Sequence, residues 1–321
     1  MTPVVAKFFG VSPRSLQRQY KDYLSDFKAW DQKGHAKEWI LFAQNIESHL
    51  SLNETAFSND DLYTILTNKE AKGKNGALVS MVKGTKAETV VGILHKIPLK
   101  QRKKAKEITL DMAGNMGLIA KKSFPNATLV IDRFHVQKLA LDALQEIRIK
   151  HRWEALDTEN DAIEYARNKS LKYTPELLHN GDTLKQLLAR SRYLLYKSSS
   201  KWTENQSERA LILFERYPDL EKAYKLCQNL SWIFNNTKDK TSALIRLAKW
   251  DEKVRQAAFS SFNTIARTMS IHYMNILNYF DNRSTNASAE SFNAKIKAFR
   301  AQFRGVRNVD FFLFRLTTIF A

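Results

Sequence analysis

Three acidic residues stand where carboxylates can do chemistry. Asp111 and Asp132 each close a short apolar run, with Ile108 and Leu110 before the first and Leu129 and Ile131 before the second. A helical pattern follows each acid at once, so residues 107–135, EITLDMAGNMGLIAKKSFPNATLVIDRFH, predict strand, helix, strand. In open α/β sheets, ligands gather in the crevice outside the carboxyl ends of the strands. Carboxylate oxygens there suit a hard cation such as Mg²⁺. Aspartate is also a favoured helix N-cap, so capping and ligation stand level for either residue alone. Glu290 is the third acid. It falls in the first turn of a helical pattern that starts near Ser288 and sets Phe292, Ile296 and Phe299 or Arg300 on one face. A carboxylate there also suits the helix dipole. Its neighbours Asn286, Ser288 and Asn293 are small and neutral, and Lys295, Lys297, Arg300, Arg304 and Arg307 form a basic ladder beyond it. An acid among neutral polar groups, beside such a ladder, points to a metal-assisted reaction on a polyanion. The plain alternative is a solvated amphipathic helix with an acidic first turn.

Composition agrees on the polyanion. Lys and Arg number 51 against 33 Asp and Glu, a formal net charge of +18. Such a field attracts phosphate backbones, whose neutralisation drives binding by counterion release. An anionic membrane surface would instead favour one basic amphipathic helix, whereas here the charge recurs at Arg14 and Arg18 and within 100–106, 148–152 and 295–307. Nucleic acid is the expected partner. A small ribosomal-type basic protein is the competitor, but 321 residues with 44% hydrophobic content can bury a core. The single cysteine, Cys227, excludes a disulfide framework and any multi-cysteine zinc site. With no apolar run of about 18 residues and no signal-peptide pattern in residues 1–10, no membrane association is expected.

The acids need a scaffold. In residues 1–45, Phe8 and Phe9 close one helix, Gly10 turns the chain, and Ser12 caps a second helix carrying Arg14, Gln17 and Arg18. Arginine and glutamine read base edges or clamp phosphates, so the pair looks like the end of a helix-turn-helix. The supporting helix before it is missing; either the module is partial or a separate polypeptide supplies the rest. The aromatic connector 25–45, with Phe27, Trp30, Trp39 and Phe42, reads as packing material. Strands follow at 48–57, 61–68 and 77–83, with turns at Asp60 and Asp61 and at KGKNG, 72–76. KGKNG lacks the phosphate-loop spacing and reads as a basic hairpin tip. A helix spans 86–96, then come the strand to Asp111, a helix, and the strand to Asp132. Three antiparallel strands followed by a βαβ unit, with acids at strand ends, make an α+β, ribonuclease-H-like mixed sheet. Residues 137–281 read as almost wholly helical, with Gly181 their one glycine and Trp153, Trp202, Trp232 and Trp250 as core or helix-contact residues.

The segments DMAGNM…FPNATLVIDRFHVQK and TNASAESFNAKIKAFR…RGV together resemble the ISL3-type insertion-sequence transposases, from about residue 44 to the last residue. The resemblance implies a DDE-type ribonuclease-H-like core, residues 46–136 and 282–321, interrupted by an all-helical insertion at 137–281. It makes Asp111 the second acid and Glu290 the third, and gives Asp132 and His135, a D-x-x-H element, a supporting role. The first acid should lie in HLSLNETAF, where the family carries aspartate; this chain has Asn53, followed by Glu54. Strand alternation turns Glu54 to the opposite sheet face. The resemblance further implies a two-metal site filled by Mg²⁺ or Mn²⁺, cleavage at element ends, and strand transfer by the freed 3′-hydroxyl. It implies terminal inverted repeats and target DNA as partners, a homo-oligomer on DNA, and a cytoplasmic location at the bacterial nucleoid. Loss of a bridging carboxylate at Asn53 should cripple cleavage while sparing DNA binding. The alternatives are a catalytically dead, transposase-derived DNA-binding protein and a ribonuclease-H-like nuclease acting on branched or hybrid nucleic acid.

Overall fold

The computed structural model describes residues 3–56, 62–112, 114–302 and 308–321. Six strands form one mixed sheet: β1 (Trp39–Leu41), β2 (His49–Ala56), β3 (Leu62–Asn68), β4 (Leu78–Lys83), β5 (Glu107–Leu110) and β6 (Thr128–Ile131), in the order β1-β4-β3-β2-β5-β6. Pairing from β1 through β2 is antiparallel, while β2–β5 and β5–β6 are parallel. The central strand β2 is where the pairing sense changes. This α+β arrangement is compatible with a ribonuclease-H-like fold.

One strand was not expected. β1 lies inside the aromatic connector and pairs Trp39, Ile40 and Leu41 with Val82, Met81 and Ser80. Three residues are too few to display a period of two, so nothing local marks them as a strand. The edge is covered by a side chain: Gln32 donates to the Leu41 carbonyl (3.0 Å) and accepts from the Leu41 N–H (2.7 Å). That leaves fewer backbone groups open to a stray strand.

The structure divides into two compact units, residues 1–132 with 284–321, and residues 133–283. The first holds the sheet. Its helices are α1 (Pro3–Phe8), α2 (Pro13–Gln19), α3 (Ala87–Leu94), α4 (Leu99–Arg102) and α5 (Gly114–Ser123). Gly10 takes a φ of +63°, which only glycine adopts without cost, and so turns α1 into α2. The Ser12 hydroxyl caps α2 by accepting from the Ser15 N–H (3.0 Å), with Pro13 opening the helix. All described side chains of α2 are exposed or half-buried. The second unit is built from α6 (Arg133–Asn168), α7 (Leu184–Arg190), α8 (Glu204–Arg216), α9 (Pro218–Asn236), α10 (Lys240–Ala257), α11 (Asn263–Leu277) and α12 (Tyr279–Asn282). Trp250 is fully buried there and donates to the Leu226 carbonyl (2.9 Å). Trp153 and Trp232 are not core residues: 61% and 48% of their surface is exposed. Trp232 instead lies under the Arg246 guanidinium, 5.0 Å from the ring centre, a use that helical spacing does not reveal.

Two last helices, α13 (Ala287–Gln302) and α14 (Val309–Phe320), return to the first unit. Phe292, Ile296 and Phe299 of α13 and Phe312, Leu313 and Leu316 of α14 form one core with Ile40, Tyr63, Ile65 and Met81 of the sheet. Phe311 and Phe314 of α14 take the connector aromatics Phe27 and Trp30 edge-on. The connector is packing material as well as a strand.

Candidate metal centre

A single row of side chains crosses the sheet beneath α13. Ile40 faces Met81, Met81 faces Ile65, and Ile65 faces Asn53. Across the parallel half, Leu52, Leu110 and Ile131 are the last registered residues of β2, β5 and β6. One position further on each strand stand Asn53, Asp111 and Asp132. Side chains alternate across a strand, so these three share the face of Ser51, Thr109 and Val130. The row therefore reads Ile40, Met81, Ile65, Asn53, Asp111, Asp132: apolar under Phe292 and Ile296, polar beyond.

Asparagine and serine lock α13 to the polar end. The Ser51 hydroxyl donates to Asn286 Oδ1, and the Asn286 backbone N–H donates to Asp132 Oδ2 at 2.9 Å. Both Ser51 and Asn286 are buried. Two turns on, Asn293 Nδ2 donates to the Glu54 carbonyl at 3.4 Å. Glu290 sits between these anchors, and a carboxylate oxygen of Asp132 lies within 4.8 Å of one from Glu290. Among the described residues, Asp111 stands outside that grouping, one row position away. Asp132, expected only in a supporting role, is the acid that falls within 4.8 Å of Glu290. His135 lies in the first turn of α6, half-buried and in the other unit.

The residues fit a divalent cation. Asp132 and Glu290 offer hard oxygens at a spacing that ligands of one cation occupy. Asn53 is 7% exposed, and its Oδ1 has no hydrogen-bond partner among the described residues. A buried polar oxygen left unpaired is costly unless something else meets it. Asn53 would thus offer a neutral oxygen in the row of Asp111 and Asp132. Glu54 faces away by alternation, but it feels the site: burial first, and then the charge of Asp111, raise its carboxyl above the usual 4.5.

A family model for ISL3 transposases, described as transposase, matches residues 50–316. The chain belongs to the ISL3 transposase family. No curated protein and no solved structure matches it. The matched stretch of this ISL3 transposase runs from β2 to α14, so every acid of the row and Glu290 lies inside it.

The basic residues are placed less evenly. Lys295 turns inward: its Nζ donates to the Gly73 carbonyl at 2.8 Å and holds the KGKNG tip against α13. Gly73 itself takes φ +69°, and an added Cβ would meet that ammonium at 3.0 Å. Lys297 is exposed and Arg300 half-buried, while Arg304 and Arg307 lie outside the described residues. On α2, Arg14, Gln17 and Arg18 are all exposed, at the spacing of one face. Among the described residues no helix is long and apolar enough to cross a membrane. Sequence reasoning missed Lys69, the first residue after β3. Two positions after Thr67 it keeps that residue's sheet face, and this phase was the available signal.

Proposed function

We propose that this member of the family is a DDE-type DNA transposase scaffold whose first acid has been replaced by Asn53. The observation that carries the reading is the polar row Asn53, Asp111, Asp132 lying under α13, with Glu290 beside Asp132. Acids at the carboxyl ends of adjacent parallel strands suit metal-assisted phosphoryl transfer. Divalent cations, Mg²⁺ or Mn²⁺, would activate the attacking oxygen and stabilise the leaving one. Asp111, Asp132 and Glu290 would hold that charge and Asn53 would lend a neutral oxygen. The basic residues grip DNA phosphates, the α1–α2 pair serves as a partial helix-turn-helix, and the helices of 133–283 act as an insertion within the catalytic core. The chain works as an oligomer on terminal inverted repeats and target DNA.

With a bridging carboxylate absent, cleavage by the unmodified chain is expected to be weak or nil. The test is cleavage and strand transfer on labelled terminal repeats, with Mg²⁺ and with Mn²⁺, for the chain and for Asn53→Asp. Gain of activity in Asn53→Asp supports the reading. Equal, robust cleavage by both would overturn the inactivation and leave the charged ligands to Asp111, Asp132 and Glu290. The neutral Asn53 specifically favours one second reading, a non-catalytic DNA-binding protein derived from a transposase. Tight binding to element ends with no cleavage by either chain would support it.

A further inference from the structure

A half-buried cation lies under the acid row. Lys69 leaves β3 with its N–H bonded to the His49 carbonyl (3.0 Å), and its side chain reaches over β2 to β5. Its Nζ donates to Thr109 Oγ1 at 2.8 Å and stands 3.6 Å from Glu107 Oε1. The Lys69 side chain is 15% exposed and that of Glu107 5%. Lysine is seldom so enclosed, and a buried charge is kept only where other charges and hydrogen bonds meet it. Thr109 is two residues before Asp111, on the same sheet face, in register with Ser51 and Val130. The ammonium thus occupies the floor one same-face step below Asp111. Burial pulls its pKa down, while the charges of Glu107 and Asp132 push it up, so the field of Asp132 reaches it. One carboxylate, Glu107, already faces the ammonium at its own end.

We propose that Lys69 is a positioning residue of the acid site: an internal counter-cation beneath Asp111 and Asp132 that holds the row together before a divalent cation arrives and lowers the affinity for that cation. The proposal rests on Asp132 and Glu290 being the cation's ligands. Two like charges compete for the same carboxylates, so removing the internal one should strengthen the external one. A unit charge several ångströms from a divalent cation, at the near-water dielectric of about 80 that the exposed Glu290 brings to the site, changes binding by on the order of tenfold. The sign separates this role from a structural one, because a distorted site binds metal more weakly.

The experiment is Mn²⁺ titration of the full chain by calorimetry, with circular dichroism to follow folding. Lys69→Met should bind Mn²⁺ on the order of tenfold more tightly, and Lys69→Arg, which keeps the charge, should bind like the parent. Because Lys69→Met removes the ammonium facing Glu107 and can fail to fold, Lys69→Met/Glu107→Gln is compared with Glu107→Gln alone. The same gain is expected between those two. Unchanged or weaker Mn²⁺ binding in the double variant overturns the proposal, as does tighter binding in Lys69→Arg. Asp132→Asn tests the underlying site: binding lost there but insensitive to Lys69 defeats the Lys69 role alone. Binding undiminished in Asp132→Asn defeats the site reading, and the proposal with it.

Discussion

Asparagine and aspartate are nearly the same size, so Asn53 keeps the shape of the acid row while removing one charge. In the protein without metal, that removal relieves repulsion among neighbours one strand apart. Asn53→Asp should therefore lower the melting temperature in a chelator and enlarge the rise in melting temperature when Mg²⁺ or Mn²⁺ is added. Thermal denaturation of both chains, with and without metal, reads this; equal metal responses would mean that position 53 does not face the cation. Glu54 makes a separate pH argument. Its folded pKa is raised, so the folded state binds the proton more tightly than the unfolded state does. Stability tied to this group is full below its ordinary value of 4.5 and is lost as pH rises through the folded value. Glu54→Gln should match the parent below that pH and become the more stable of the two above it. Urea unfolding at a series of pH values gives the answer, and a difference that grows toward acid pH would reverse the assignment.

At the scale of elements, the sequence was most informative where local pattern decides structure. Strands expected at 48–57, 61–68 and 77–83 appear as His49–Ala56, Leu62–Asn68 and Leu78–Lys83, because turn residues bound apolar runs of workable length. The α13 face of Phe292, Ile296 and Phe299 is buried as its spacing implies. What was illegible depends on partners distant in sequence. β1 exists because Val82 and Met81 offer it an edge, and the approach of Asp132 to Glu290 depends on Asn286 reaching Ser51. Likewise Lys295 belongs to a basic ladder in sequence but clamps the Gly73 carbonyl in the fold. A charge-assisted hydrogen bond of this kind contributes about 1.5–3 kcal/mol. Lys295→Ala should cost stability on that scale or less, since the site is partly solvated, and should speed amide exchange in residues 72–76. Hydrogen exchange is the measurement; unchanged protection of the tip would show that the clamp carries no load.

For the whole molecule, the net charge of +18 makes DNA affinity a question of salt as much as of contacts. Each phosphate neutralised in duplex DNA adds about −0.9 to the slope of log affinity against log salt. On the proposed function, Lys297 and Arg300, on the helix that carries Glu290, would hold the strand near the acids, whereas Lys295 is already engaged. Lys297→Ala/Arg300→Ala should thus weaken binding and make the slope shallower by about 1.8, two contacts' worth. Lys295→Ala should leave the slope as it is. Arg14 and Arg18, exposed on α2, belong to a different term: side chains that reach base edges alter discrimination more than bulk affinity. Arg14→Ala/Arg18→Ala should bring affinity for element ends closer to that for random duplex. Salt titrations of binding to both DNAs, run for all three variants, separate the terms. An unchanged slope for the first variant would take the α13 ladder out of the interface, and an unchanged preference for ends in the last would take α2 out of the groove.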